Sequence, residues 1–204
     1  MKWRQIDKEA VQAPATGTYR DWKPQLAEEA KCQCVYCCIH EADFGGIRNF
    51  HVEHYKPQSR FPALKNAYNN LFYACGVCNV FKSDDWPSEL ASGDLSQLGY
   101  PDPSHVDYSQ FLRVDQHSGV VASDCVTGKY VIERLHLNRP HLIGLRAWTE
   151  LIRRLDQVNA EIRALVDVGI PASEGEAVMR TLLDINSLML QLTRARPYAP
   201  DQLK

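Results

Sequence analysis

Four residues near the middle of this chain are of types that do acid–base or metal chemistry. Glu53 and His54 are adjacent in the stretch HVEHYKPQ (51–58), Asn70 follows, and Asn79 comes directly after a cysteine pair. A neutral imidazole is suited to activating water near neutral pH. A carboxylate beside it can hold a hard cation such as Mg²⁺, which takes oxygen ligands, and an asparagine carbonyl can add another. The competing reading is an exposed strand that carries histidines. His51 belongs to the same stretch, and in an extended strand it shares a face with Glu53. That leaves it either structural or a further metal ligand.

The cysteines frame this set. Cys34-x-x-Cys37 and Cys75-x-x-Cys78 are two pairs whose spacing lets each grip one ion, and four thiolates make a closed, structural Zn²⁺ site. Cys38 could replace Cys37. Cys32, Cys38 and Cys125 are otherwise spare among the seven cysteines. An odd count, with six of the seven in two tight clusters, points to metal rather than a secreted disulfide scaffold. The gap between the pairs is long for a simple zinc ribbon, so something functional is expected inside it.

Charge is uneven. The chain carries −2 overall, whereas residues 47–82 hold five basic residues (Arg48, Lys56, Arg60, Lys65, Lys82) against the single acid Glu53, a local balance of +4. Such a patch is an electrostatic footprint for phosphate, with Lys56 and Arg60 as candidates for nucleic-acid contact. No apolar run is long enough for a membrane span and no leader pattern opens the chain, so a cytoplasmic protein is expected.

The elements that must position these residues read as follows. Residues 1–30 form an arm and a short helix from Pro24 to Lys31, and 31–90 a core with the cysteine knuckles. There, DFGG (43–46) is a turn and IRNFHVEHY an extended segment. Residues 91–133 are a turn-rich linker with a small hairpin around His117-Ser118-Gly119, and 134–204 are helical. Apolar residues at 142, 145, 148, 152, 155, 158, 162 and 165 predict one amphipathic helix over 140–168. Asn138 is its expected N-cap, Pro140 stands near its first turn, and Gly169 and Pro171 end it. A second helix over 173–193 opens on a Ser173–Glu176 capping box, giving an antiparallel helical hairpin.

CVYC (34–37), HVEHYKP (51–57) and NNLFYACGVCNVFK (69–82) together resemble the HNH endonuclease motif, in the subgroup with a four-Cys zinc. The likeness covers about residues 31–84. It implies an α+β chain whose ββα-metal, treble-clef-like core is stabilised by structural Zn²⁺ on Cys34, Cys37, Cys75 and Cys78. By position, His54 matches the general base and Glu53 the acidic ligand of a catalytic Mg²⁺ or Mn²⁺, more often Asp in the family. Asn70 matches the residue that orients the loop and thereby the base. Asn79 matches the third motif residue, often His, and Lys82 a basic residue expected on phosphate. His51 lies outside the motif. The implied activity is metal-dependent hydrolysis of DNA phosphodiesters. RLHLNRPHLIGLR (134–146) is similar to the helical tail of small bacterial HNH proteins of Septu- and retron-type anti-phage systems, which implies an SMC/ABC-like ATPase partner. Two other readings stay open: a non-catalytic zinc module that binds nucleic acid or protein, and an HNH nuclease acting on RNA.

Overall fold

The structure, a computed structural model, describes residues 2–9, 13–91, 93–168 and 172–194. The chain is mixed α+β with two small antiparallel sheets. It divides into two compact units, one formed by Met1–Asp115 and Val120–Leu142, the other by Gln116–Gly119 and Ile143–Lys204. Among the described residues no helix is long and apolar enough to cross a membrane.

In the first unit, α1 (Lys23–Glu29) precedes β1 (Phe50–His54), β2 (Leu71–Cys75) and α2 (Gly76–Lys82). The strands pair antiparallel in the register Phe50↔Cys75, Val52↔Tyr73, His54↔Leu71. Only 50–54 of the expected extended segment forms strand; Ile47–Asn49 is a single 3₁₀ turn. β2 (LFYAC) is buried along its whole length, which its unbroken apolar run explains. Phe50 stacks on Tyr73 across the pair, ring centroids 4.6 Å apart. Behind the sheet Tyr36, Tyr100 and Tyr108 form a buried aromatic layer.

The N-terminal segment is more than an arm. Trp3 and Ile6 are buried; the Trp3 indole donates to the Tyr36 carbonyl at 2.7 Å and the Ile6 amide to that of Pro103 at 2.8 Å. Its Pro and Gly breakers mark irregular backbone, but two large apolar side chains are enough to seat it on the core.

The 91–133 segment contains the expected hairpin, β3 (Arg113–Val114) with β4 (Val121–Ala122), and also a helix, α3 (Val126–Arg134). The sequence VTGKYVIER hides that helix because Gly and β-branched residues lower its propensity. Tertiary packing overrides this: the Cys125 sulfur caps the Gly128 amide at 3.2 Å, and Val131 is fully buried. Asn138 is not the cap of the next helix. Its amide clamps β4, accepting from the Val121 N–H at 2.7 Å and donating to the Val121 carbonyl at 2.8 Å, a more demanding pair of partners than a helix end supplies.

α4 (Pro140–Val168) enters the second unit at Ile143, and α5 (Ala172–Arg194) follows. Both agree with the apolar spacing. The expected stop at 169–171 lies outside the described residues, and α5 begins one residue before Ser173, so that residue is inside the helix rather than its cap. Gly119 is demanded by this unit: its φ is +74°, and a Cβ there would lie 2.5 Å from the Ile143 carbonyl oxygen.

Candidate functional site

Cys34, Cys37, Cys75 and Cys78 converge, all buried, with their sulfurs within 4.8 Å of one another. Cys37 and Cys75 Sγ are 3.7 Å apart. Tetrahedral Zn²⁺ with bonds of about 2.3 Å sets its sulfurs about 3.8 Å apart, so the donor type and the spacing both fit zinc. Cys37, not Cys38, is the fourth member. One pair sits in a tight turn closed by the Cys34 amide on the Ile39 carbonyl and the Cys38 amide on the Cys34 carbonyl, each 2.9 Å. The other opens α2, where Cys75 is the N-cap and accepts from the Cys78 amide. Without a cation the four thiols cannot all ionise. Hydrogen bonds from Cys34, Cys37 and Cys78 hold the Cys75 thiol well below its ordinary value, while burial pushes Cys34 up. Arg139, between α3 and α4, lays its guanidinium 3.6–3.8 Å from the sulfurs of Cys37, Cys75 and Cys78. Burial works against that charge, but the sulfurs outweigh it and raise the Arg139 pKa. Nothing in the local sequence marks this residue.

The cluster fixes α2 against β1. On one face of β1, His51 meets Asn79 (Nδ1 to Nδ2 3.3 Å) and Glu53 meets Lys82 (Oε1 to Nζ 2.7 Å). Positions 51 and 53 share a strand face and 79 and 82 a helix face, so the two pairs stack side by side. Lys82 also donates to the His54 carbonyl at 3.0 Å. Tyr36, between Cys34 and Cys37, donates its hydroxyl to Glu53 Oε1 at 3.1 Å. Burial pushes the Glu53 carboxyl above its usual range, and Lys82 and Tyr36 pull against that.

Lys82 is the clear correction. Expected on phosphate, it is 0% exposed and ion-paired with Glu53, itself 2% exposed. A buried ammonium needs a counter-charge, and the one acid of the basic segment supplies it. Lys56 and Arg60 are also engaged elsewhere. Lys56 pairs with Glu89, Arg60 donates to the Trp86 carbonyl at 2.5 Å, and neither lines the cleft described next.

That cleft, of about 540 Å³, is lined by His51, Glu53, His54 and Asn79 together with Arg20, Lys23 and Asp84, among others. The cations facing it thus come from the N-terminal segment and α1, which composition alone does not connect to the histidines. His54 is half-buried at its edge. Its Nε2 lies 3.0 Å from the Lys65 carbonyl, and Tyr19 packs edge-on, 4.8 Å between ring centroids. Burial, with Lys82 and Lys65 nearby, lowers the His54 pKa from 6.5 even though the Lys65 carbonyl opposes the shift. Asn70 is buried outside the cleft. Its side chain accepts from the Lys56 amide at 2.8 Å and donates to the carbonyls of Lys56 (3.1 Å) and Leu64 (3.4 Å), pinning the loop that carries Lys65.

The chemistry available is therefore an imidazole whose pKa burial lowers, beside a His–Glu–Asn donor set, in an open cleft lined also by Lys23 and by Arg20, which donates to the Tyr19 hydroxyl at 3.2 Å. Comparison with protein-family models, with curated proteins and with solved structures gave no match.

Proposed function

We propose that the protein is a metal-dependent HNH-type endonuclease that hydrolyses DNA phosphodiesters. One observation carries this reading: a single cleft brings together His54, whose pKa burial lowers, with Glu53 and Asn79 on a strand–strand–helix unit cross-tied by four cysteines. The residues fit a divalent cation: Glu53 lines the cleft and takes the bonds from Lys82 and Tyr36 on Oε1, and Asn79 can offer an amide oxygen. When bound there, such a cation stabilises charge on the scissile phosphate and the departing 3′ oxygen.

The protein's own residues do the rest. His54 Nε2 donates its proton to the Lys65 carbonyl, so Nδ1 carries the lone pair and takes the proton from water. Asn70 holds the loop and, through Lys65, the tautomer. Arg20 and Lys23 meet the substrate backbone electrostatically.

A second reading has a specific observation behind it. The buried Glu53–Lys82–Tyr36 network would serve a non-catalytic zinc module equally well as a structural brace. End-labelled duplex DNA, single-stranded DNA and RNA, each incubated with Mg²⁺ or Mn²⁺, separate the two. The nuclease reading expects duplex DNA to be cut with 5′-phosphate and 3′-hydroxyl ends, and His54→Ala to be inactive. Zinc-loaded protein that cuts no substrate supports the module, and preferential cutting of RNA moves the substrate class. The ATPase partner rests on the tail resemblance, and co-purification of the full chain with an SMC/ABC-like ATPase tests it.

A further inference from the structure

The nuclease reading leaves the cleft residue His51 without a task. It is exposed, it stands on the same β1 face as Glu53, and its Nδ1 is 3.3 Å from the Asn79 amide. Neighbouring ligands of an octahedral cation with bonds of about 2.1 Å lie about 3 Å apart. The His51–Asn79 spacing is therefore close to that of two ligands sharing one ion. Turning the Asn79 amide over presents its oxygen beside the imidazole lone pair at no cost in backbone geometry. Glu53, two residues along the strand, lines the same cleft and takes the Lys82 and Tyr36 contacts on Oε1, so its carboxylate supplies the third donor.

We propose that His51 is a nitrogen ligand of the cleft cation, shared with Asn79 and Glu53, and that this mixed nitrogen–oxygen seat selects a first-row transition ion over Mg²⁺. The proposal deepens the nuclease reading and rests on it for the cation's role in hydrolysis. Its chemical basis is separate. Mg²⁺ takes oxygen ligands and gives up water reluctantly, whereas imidazole suits transition ions. With the Glu53 charge already shared with Lys82, an all-oxygen seat here would be weak, and the imidazole supplies the missing affinity.

Mn²⁺ is the probe. It accepts both donor types and is paramagnetic, while zinc in the cysteine site is silent. Pulsed electron paramagnetic resonance of zinc-loaded full chain with Mn²⁺ should show ¹⁴N modulation from a bound imidazole. The modulation should persist in His54→Ala and vanish in His51→Asp. His51→Asp should also narrow the preference for Mn²⁺ over Mg²⁺ in calorimetric titration by about tenfold or more. His51 is at the surface, so its variants keep the fold, and zinc content checks this. Absence of ¹⁴N modulation in the wild type, or its survival in His51→Asp, overturns the proposal. So does a fall in melting temperature of His51→Asp with Mn²⁺ binding unchanged, the outcome of a purely structural His51–Asn79 clamp. A chain that cuts DNA without the nitrogen signature refutes only the His51 assignment. A chain with the signature that cuts nothing refutes the nuclease reading and leaves the metal site standing.

Discussion

His54 and Glu53 are adjacent in sequence and opposite in circumstance. His54 is lowered below 6.5 by burial and by Lys82 and Lys65, so its proton is lost more readily in the folded chain than in the unfolded one. Two consequences follow with definite sign. The acid limb of a pH–rate profile for cleavage should lie below pH 6.5, with activity retained where an ordinary imidazole would already be protonated. The contribution of His54 to stability should fall as pH drops through 6.5, because the unfolded state then binds the proton more tightly. Titration of the imidazole by NMR checks both, and a pKa at or above 6.5 contradicts them. For Glu53 and Lys82 the structure predicts strong coupling. Lys82→Met leaves a buried carboxylate without its partner and should cost about 3–5 kcal/mol in urea unfolding, whereas Glu53→Gln combined with Lys82→Met should recover much of it. The adjacent acid and histidine were legible as a pair from their types. The ion pair was not, because it depends on how α2 lies over β1, which no local spacing encodes.

Element by element, legibility follows locality. The C-x-x-C pairs state their purpose in four residues each, and the long apolar stripes state α4 and α5. α3 is silent in the sequence because its helix is imposed by packing. Gly128 shows how strongly. In an open helix Gly→Ala gains about 1 kcal/mol, but a Cβ at 128 would sit 2.0 Å from Ser123 Oγ and 2.5 Å from its Cβ. Overpacking of that kind costs about 1–3 kcal/mol, so Gly128→Ala should lower the urea midpoint; a raised midpoint would mean that the β4–α3 corner is looser than described. Asn138 was assigned by its position before Pro140, a sound local rule, and tertiary hydrogen bonding to Val121 overruled it.

At the scale of the whole molecule, the first unit depends on its cysteine cluster. The cluster joins the knuckle turn at 34–37, the start of α2 and, through Arg139, the segment leading to α4. Structural zinc sites contribute folding free energy directly. Removal of zinc by a strong chelator, or Cys78→Ser, should therefore abolish cooperative unfolding of this unit. Differential scanning calorimetry with zinc analysis reads the outcome, and an unchanged transition in zinc-free protein would contradict it. Net charge alone, at −2, lowers the expectation of a nucleic-acid partner slightly; the cleft cations Arg20 and Lys23 come from the segment expected to be an arm, where Trp22 between them is buried.

Nicking of supercoiled plasmid tests the central claim most directly. Zinc-loaded wild type with Mn²⁺ should convert supercoiled to open-circular DNA, chelation should stop it, and His54→Ala purified in parallel should lose activity by at least about a hundredfold, the usual contribution of a general base. Equal nicking by wild type and His54→Ala, or none by either with zinc in place, would contradict the account.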